Sequence, residues 1–170
     1  MTTMLNNFIN RLRTPVPLPD RILEIVAGVM VIALLVTTAI FYSMSPDTIP
    51  THISFSGEAD EWSDKSFYWL TSGMFTLFML IDFISAYYTD KNSVRMPIRN
   101  KDLSPRQIML AARLCRIINI GLALIWLDVL LSISAVWLHI SNGAVTVMNI
   151  VSVSLLVIPS VWYGYKIMHS

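Results

Sequence analysis

The chain has 170 residues, of which 55% are hydrophobic and 14% charged, with a formal net charge of +1. A soluble domain carries roughly a quarter charged residues, so the composition points to the membrane class, and the near-neutral balance argues against a nucleic-acid partner. The single cysteine, Cys115, excludes an intramolecular disulfide, a cysteine-based zinc site and an iron–sulfur cluster, and reads as a small apolar residue near a helix end.

Residues 1–21 form an arm. Met4, Leu5, Phe8, Ile9 and Leu12 recur at helical spacing against Asn6, Asn7, Asn10, Arg11 and Arg13, the pattern of a short amphipathic helix lying on a membrane surface. Thr14 to Pro19 then reads as a stiff, extended connector, because three prolines fix φ and remove donors.

The first apolar run, Ile22–Met44, is too long for a signal-peptide core and lacks a small-residue exit, so it is expected to remain as a transmembrane helix. Its uncharged stretch of about 21 residues suffices to cross a bilayer. Asp20 and Glu24 stand at its start, where the helix dipole favours negative charge. A second apolar run, Phe67–Tyr88, is bounded by Tyr68 and Trp69 at one end and by Tyr87 and Tyr88 at the other, as interfacial aromatic belts are. With the segment between them, these two runs make one unit, 22–88.

A basic connector and helix start occupy 89–116. Ser104-Pro105-Arg106-Gln107 has the residues of a capping box, with Ser at N-cap, Pro at N1 and Gln at N3. The helix it opens is expected to reach about Leu138, longer than the bilayer requires, and to carry Arg106, Arg113 and Arg116 on one face. The second transmembrane hairpin, 117–170, comprises a span over Ile117–Leu138, a tight His139–Gly143 connector with an Asn-Gly turn, and a span over Ala144–Tyr165. Pro159 is a candidate kink in the last of these.

Orientation follows from the cations. Arg11, Arg13 and Arg21 lie in the arm, five cations lie in 89–106, and Lys166 lies near the end, whereas the 45–66 segment holds five carboxylates and one lysine. The positive-inside rule then places both termini and the basic connector in the cytoplasm. The expected fold is an all-α integral membrane protein of four transmembrane helices, with a folded extracytoplasmic loop between helices 1 and 2.

That loop, Ser45–Ser66, is the longest polar segment between apolar runs. Pro46, Pro50 and Gly57 suggest a defined turn structure. His52, Glu58 and Asp60 are residue types that bind a divalent cation, although their spacing matches no zinc motif. The plain alternative is a folded loop in which carboxylates accept backbone N–H groups and Lys65 pairs with Asp60 or Asp64. No local motif supports nucleophilic catalysis.

Two acids fall inside spans. Asp82, in the second, is expected either to pair with Arg113 or Arg116 or to serve on a proton or cation path. Asp128, deeper in the third, is expected to be hydrogen-bonded by Ser152, Ser154 or the threonines Thr37 and Thr38, or else to act as a protonatable switch. The Arg106/Arg113/Arg116 face suits topogenic charge, anionic headgroups or a cytoplasmic partner.

The loop P-D-T-I-P-T-H-I-S-F-S-G-E-A-D-E-W-S-D-K-S resembles the signature of a bacterial membrane domain of unknown function, found at the N-terminus of SdpI-type toxin immunity proteins. Its pattern runs roughly L-P-x-x-I-P-x-H-F-x-x-x-G-x-P-D-x-W-G-S-K. Pro46, Ile49, Pro50, His52, Gly57, Asp60, Trp62 and Lys65 match it, while Phe55 is displaced, Ala59 replaces a proline and Ser63-Asp64 replace Gly-Ser. The resemblance covers the loop and its two flanking spans.

It implies a multi-pass protein of the bacterial plasma membrane whose outer loop meets an extracellular ligand; taken with the acidity of the loop, the expectation is a non-enzymatic immunity or sensing protein, without a cofactor, that attracts a cationic extracellular peptide. In SdpI-type proteins it further implies toxin immunity with recruitment of a cytoplasmic regulator. The alternative from the residues is a small proton- or cation-linked transporter, which four helices would serve as an oligomer, or a metal-binding membrane enzyme using His52, Glu58 and Asp60.

Overall fold

A computed structural model describes residues 16–53, 59–91, 95–96, 101–139 and 142–169. The expected amphipathic arm, Gly57 and Glu58 lie outside the described residues, as do the side chains of the basic connector from Lys91 to Lys101. Among the described residues, four helices are long and apolar enough to cross a membrane. They are α1 (Leu18–Met44), α2 (Phe67–Lys91), α3 (Pro105–Leu138) and α4 (Asn142–His169). Two antiparallel strand pairs modify the all-α expectation. One is β1 (Thr48–Ile53) with β2 (Ala59–Asp64), between α1 and α2; the other is the short β3 (Arg95–Met96) with β4 (Lys101–Asp102).

Several element ends have identifiable causes. Pro19 falls in the first turn of α1, where a missing N–H costs nothing, so Leu18 and Pro19 join the helix instead of extending the connector. In α3 the expected capping box is formed. Gln107 N–H donates to Ser104 Oγ at 3.3 Å, and Ser104 N–H donates to Gln107 Oε1 at 2.9 Å. His139 caps the other end in the left-handed region, at φ 54°. Asn142 and Gly143 are already helical, so the Asn-Gly pair opens α4 and does not form the expected turn. The helix continues past Pro159.

The centre of the molecule is α3. Of its most apolar stretch 44% is buried, against 17% for α1, 17% for α2 and 11% for α4. It packs on all three other helices, α1 also meets α2, and β1 rests on α3. The peripheral helices turn Ile25, Val29 and Ile32 of α1, Leu77, Phe78 and Ile81 of α2, and Ile150, Ile158 and Val161 of α4 to the outside. In water such a surface would drive aggregation; in a bilayer it meets acyl chains.

Because apolar side chains gain little from one another in lipid, packing and hydrogen bonds must join the helices. Thr38 Oγ1 of α1 lies 2.8 Å from Ser72 Oγ of α2, and Trp126 Nε1 of α3 donates to the same Ser72 oxygen at 3.1 Å. Phe75 stacks on the Trp126 ring. Nearer the strands, Tyr68 Oη lies 2.8 Å from Ser134 Oγ and accepts from Trp137 Nε1 at 3.1 Å, while Phe41 meets Tyr68 and Trp137 edge-on.

The α3–α4 contact depends on a small residue. A Cβ on Gly121 would lie 2.6 Å from Leu156 Cδ1 and 3.3 Å from Leu156 Cα, so α4 would have to move outward. Gly121→Val is expected to cost about 1–3 kcal/mol by overpacking. Thermal unfolding in detergent micelles checks this, and Leu156→Ala in the same chain should recover part of the loss.

Candidate functional site

The segment between α1 and α2 has an anchored side and a presented side. Its ladder pairs Thr48 with Asp64, Ile49 with Ser63, Pro50 with Trp62, His52 with Glu61, and Ile53 with Ala59, with irregularities on either side of His52. Pro50 can occupy the strand because it stands beside such an irregularity, where its lack of an N–H is tolerated. Ile49 is fully buried and Pro50 nearly so, and Ile49 joins the cluster of Leu34, Tyr68, Trp126, Leu130 and Ile133. The strand pair is thereby seated on the helices.

Lys65 closes its base. The Lys65 N–H donates to the Asp47 carbonyl at 3.0 Å and its Nζ donates to Asp47 Oδ1 at 2.9 Å. The ammonium also lies 5.4 Å from the centroid of the Tyr42 ring, which itself meets Trp69. Asp47 raises the Lys65 pKa through that side-chain hydrogen bond. The partner of Lys65 is therefore Asp47, not the expected Asp60 or Asp64. Asp64 instead accepts from the Ser66 N–H at 2.7 Å, a bond that lowers its pKa, and Asp60 pairs with His52.

His52 Nδ1 lies 2.6 Å from Asp60 Oδ1, and both side chains are exposed. The hydrogen bond to Asp60, then its charge, raises the His52 pKa above 6.5, with Glu61 adding a smaller push. The stability this pair contributes is therefore fully present below 6.5 and is lost as pH rises through the folded-state value. A histidine NMR titration should place the His52 midpoint above 6.5 and move it back toward 6.5 in Asp60→Asn.

The motif residues thus divide. Pro50 and Lys65 anchor; Pro46, His52, Asp60 and Trp62 face outward, Trp62 at 54% exposure. Along β2, Asp60, Glu61, Trp62, Ser63 and Asp64 are all exposed. This strand presents carboxylates around one indole, a surface suited to a cationic partner with an apolar or cationic side chain for the ring. As to metal, His52 and Asp60 are brought together, Glu58 lies outside the described residues, and no group of three His, Cys, Asp or Glu is gathered among the described residues.

The charged residues at the far end of the bundle pair differently from expectation. Asp20, buried in the first turn of α1, receives two bonds from Arg113, from Nε at 2.7 Å and Nη2 at 3.0 Å. Glu24 accepts from Arg116, Nε at 2.9 Å and Nη2 at 2.8 Å. Neither arginine is ion-paired with Asp82, and the expected three-arginine outward face reduces to Arg106, which is exposed. The missed signal was two spacings: acids four apart on α1 and arginines three apart on α3, each a single helical stripe.

Asp82 Oδ2 is buried with no hydrogen-bond partner among the described residues. Asp128 is buried, and its partner is Asn149 of α4, whose amide nitrogen, turned to the carboxylate, donates to both oxygens. That role was expected of Ser152, Ser154 or the α1 threonines; Thr38 is instead committed to Ser72 and the Leu34 carbonyl, and Thr37 to the Ala33 carbonyl.

These features define a membrane-like, four-helix protein with a strand pair seated between its first two helices. Residues 29–76 match the family model of a domain of unknown function, DUF1648. The matched stretch runs from α1 through both strands into α2 and holds the Thr38–Ser72 contact as well as the Lys65 closure. No curated protein and no solved structure matches the chain.

Proposed function

We propose that this chain is a non-enzymatic, multi-pass protein of the bacterial plasma membrane, of SdpI-like type, that meets a cationic extracellular peptide through the β1–β2 hairpin, as an immunity or sensing protein would. Both termini and the basic connector lie in the cytoplasm on this reading, following the positive-inside distribution of lysine and arginine. The observation that carries it is the division of the hairpin, with Ile49, Pro50 and Lys65 held by the helices while Asp60, Glu61, Trp62 and Asp64 stand exposed. A held scaffold lowers the ordering cost of binding, and the carboxylates steer a cation toward the surface.

A cytoplasmic regulator, if recruited, would use Arg106 and the connector cations, because Arg113 and Arg116 are engaged with α1. The match to DUF1648 supports the domain assignment and leaves the ligand to experiment. The test measures binding of a panel of secreted cationic peptides to the full chain in nanodiscs, with protection of peptide-sensitive cells alongside. Binding weakened by Glu61→Lys and by Trp62→Ala, with loss of protection, is the expected result. Binding and protection unchanged in both variants, or no peptide bound at all, would remove the reading.

A further inference from the structure

The α2–α3 seam runs in antiparallel register through Tyr68–Ser134, Ser72–Trp126 and Met79–Asn119, the last a bond from Asn119 Nδ2 to the Met79 carbonyl at 3.1 Å. As α2 advances along this seam, α3 recedes. Met79 and Ala86 are buried seam positions, and Asp82 falls between them on the same helical face. It therefore lies at the level of the Arg116–Asn119 turn of α3.

Two acceptors at this level lack a donor. Asp82 Oδ2 and Asn119 Oδ1 are both buried without a hydrogen-bond partner among the described residues. Asn119 is only 5% exposed, and its nitrogen is fixed by the Met79 carbonyl, so the amide cannot turn over to relieve its oxygen. Among the described residues, ion pairs at this end of the bundle join Asp20 and Glu24 of α1 to Arg113 and Arg116 of α3, with Tyr163 of α4 at the Arg113 guanidinium. The two arginines answer the two α1 carboxylates in direct pairs. Asp82 has no ion-pair partner among the described residues, and a half-buried carboxylate within a span calls for neutralisation.

We propose that Asp82 and Asn119 form a single-charge cation site in the α2–α3 seam, taking a proton or an alkali-metal ion with Asp82 Oδ2 and Asn119 Oδ1 as its acceptors. One positive charge satisfies both oxygens and balances the carboxylate. Oxygen-only donors suit these cations and disfavour soft transition metals, and a divalent ion would leave excess positive charge beside two arginines. The site is independent of what the hairpin binds.

The test uses the full chain in nanodiscs, with the unfolding midpoint followed against pH in choline chloride and against NaCl, KCl or LiCl at fixed ionic strength. A proton site gives a midpoint that falls as pH rises and ignores the alkali ions. An alkali-ion site gives a saturable rise with one of those salts. In either case Asp82→Asn, which carries its own amide donor, loses the response relative to the parent protein. An unchanged response in Asp82→Asn, or no response in the parent, overturns the proposal. Should Asp82→Asn fail to fold, infrared titration of Asp128→Asn protein isolates Asp82 from the other mid-span acid. A carboxylic-acid band that persists above about pH 5.5, where exposed carboxyls are ionised, and vanishes at higher pH, or a carboxylate band that shifts on adding one alkali salt and not the others, supports the site; no acid band above about pH 5.5 together with no salt-specific shift overturns it.

Discussion

Arg113→Leu is expected to destabilise the protein by about 3–5 kcal/mol, the cost of leaving a buried charge without its partner. Asp20 is 1% exposed and takes both of its bidentate bonds from this guanidinium, so the substitution strands a carboxylate inside the bundle. The double variant Asp20→Leu/Arg113→Leu should recover most of the loss, since a buried ion pair exchanged for apolar side chains is often neutral or better. A double-mutant cycle on thermal or denaturant unfolding in micelles reads the coupling directly. Additive losses would mean that the two residues do not act as a pair. The Glu24–Arg116 pair, with Arg116 at 3% exposure, should behave in the same way.

Trp126→Ala is expected to cost about 3–5 kcal/mol, by loss of a fully buried ring and the cavity left behind. The effect should spread. Trp126 donates to Ser72, which is bonded to Thr38, so one side chain on α3 ties α1 and α2 together. The same cluster holds Ile49 of the hairpin. Limited proteolysis should therefore show faster cleavage at the hairpin in Trp126→Ala than in the parent. Trp126→Phe keeps the stacking partner of Phe75 and forfeits the N–H bond, so its cost should be nearer 0.5–1.5 kcal/mol. Equal effects of the two substitutions would show that the hydrogen bond, and not the ring volume, dominates.

The frame of this protein was legible because bilayer physics acts on local sequence. Uncharged runs long enough to span, aromatic ends and the Ser104–Gln107 cap are each readable without a partner in view. Charge pairing was not legible, because sequence gives the depth of a residue and leaves its azimuth free. Arg116 and Asp82 are close in depth, yet Arg116 turns to Glu24 on α1. Lys65 has four carboxylates of its own loop nearer in sequence than Asp47, namely Glu58, Asp60, Glu61 and Asp64; the strand register instead puts Asp47 beside it. Asn149 carries no signal in the sequence, because an amide in an apolar helix is silent until its neighbour, Asp128, is placed. The anchored half of the hairpin was equally hidden, since Ile49 and Pro50 look like ordinary loop residues until β1 is laid on α3.

On the proposed reading, the exposed acidic strand β2 and the basic start of α3 lie on opposite sides of a membrane. With Cys115 replaced by alanine, single cysteines introduced as Ser63→Cys and Arg106→Cys report on the two ends, both exposed positions. Treatment of intact cells with a membrane-impermeant maleimide should label Ser63→Cys at once and Arg106→Cys only after the membrane is permeabilised. Labelling of Arg106→Cys in intact cells, with Ser63→Cys protected, would contradict the account.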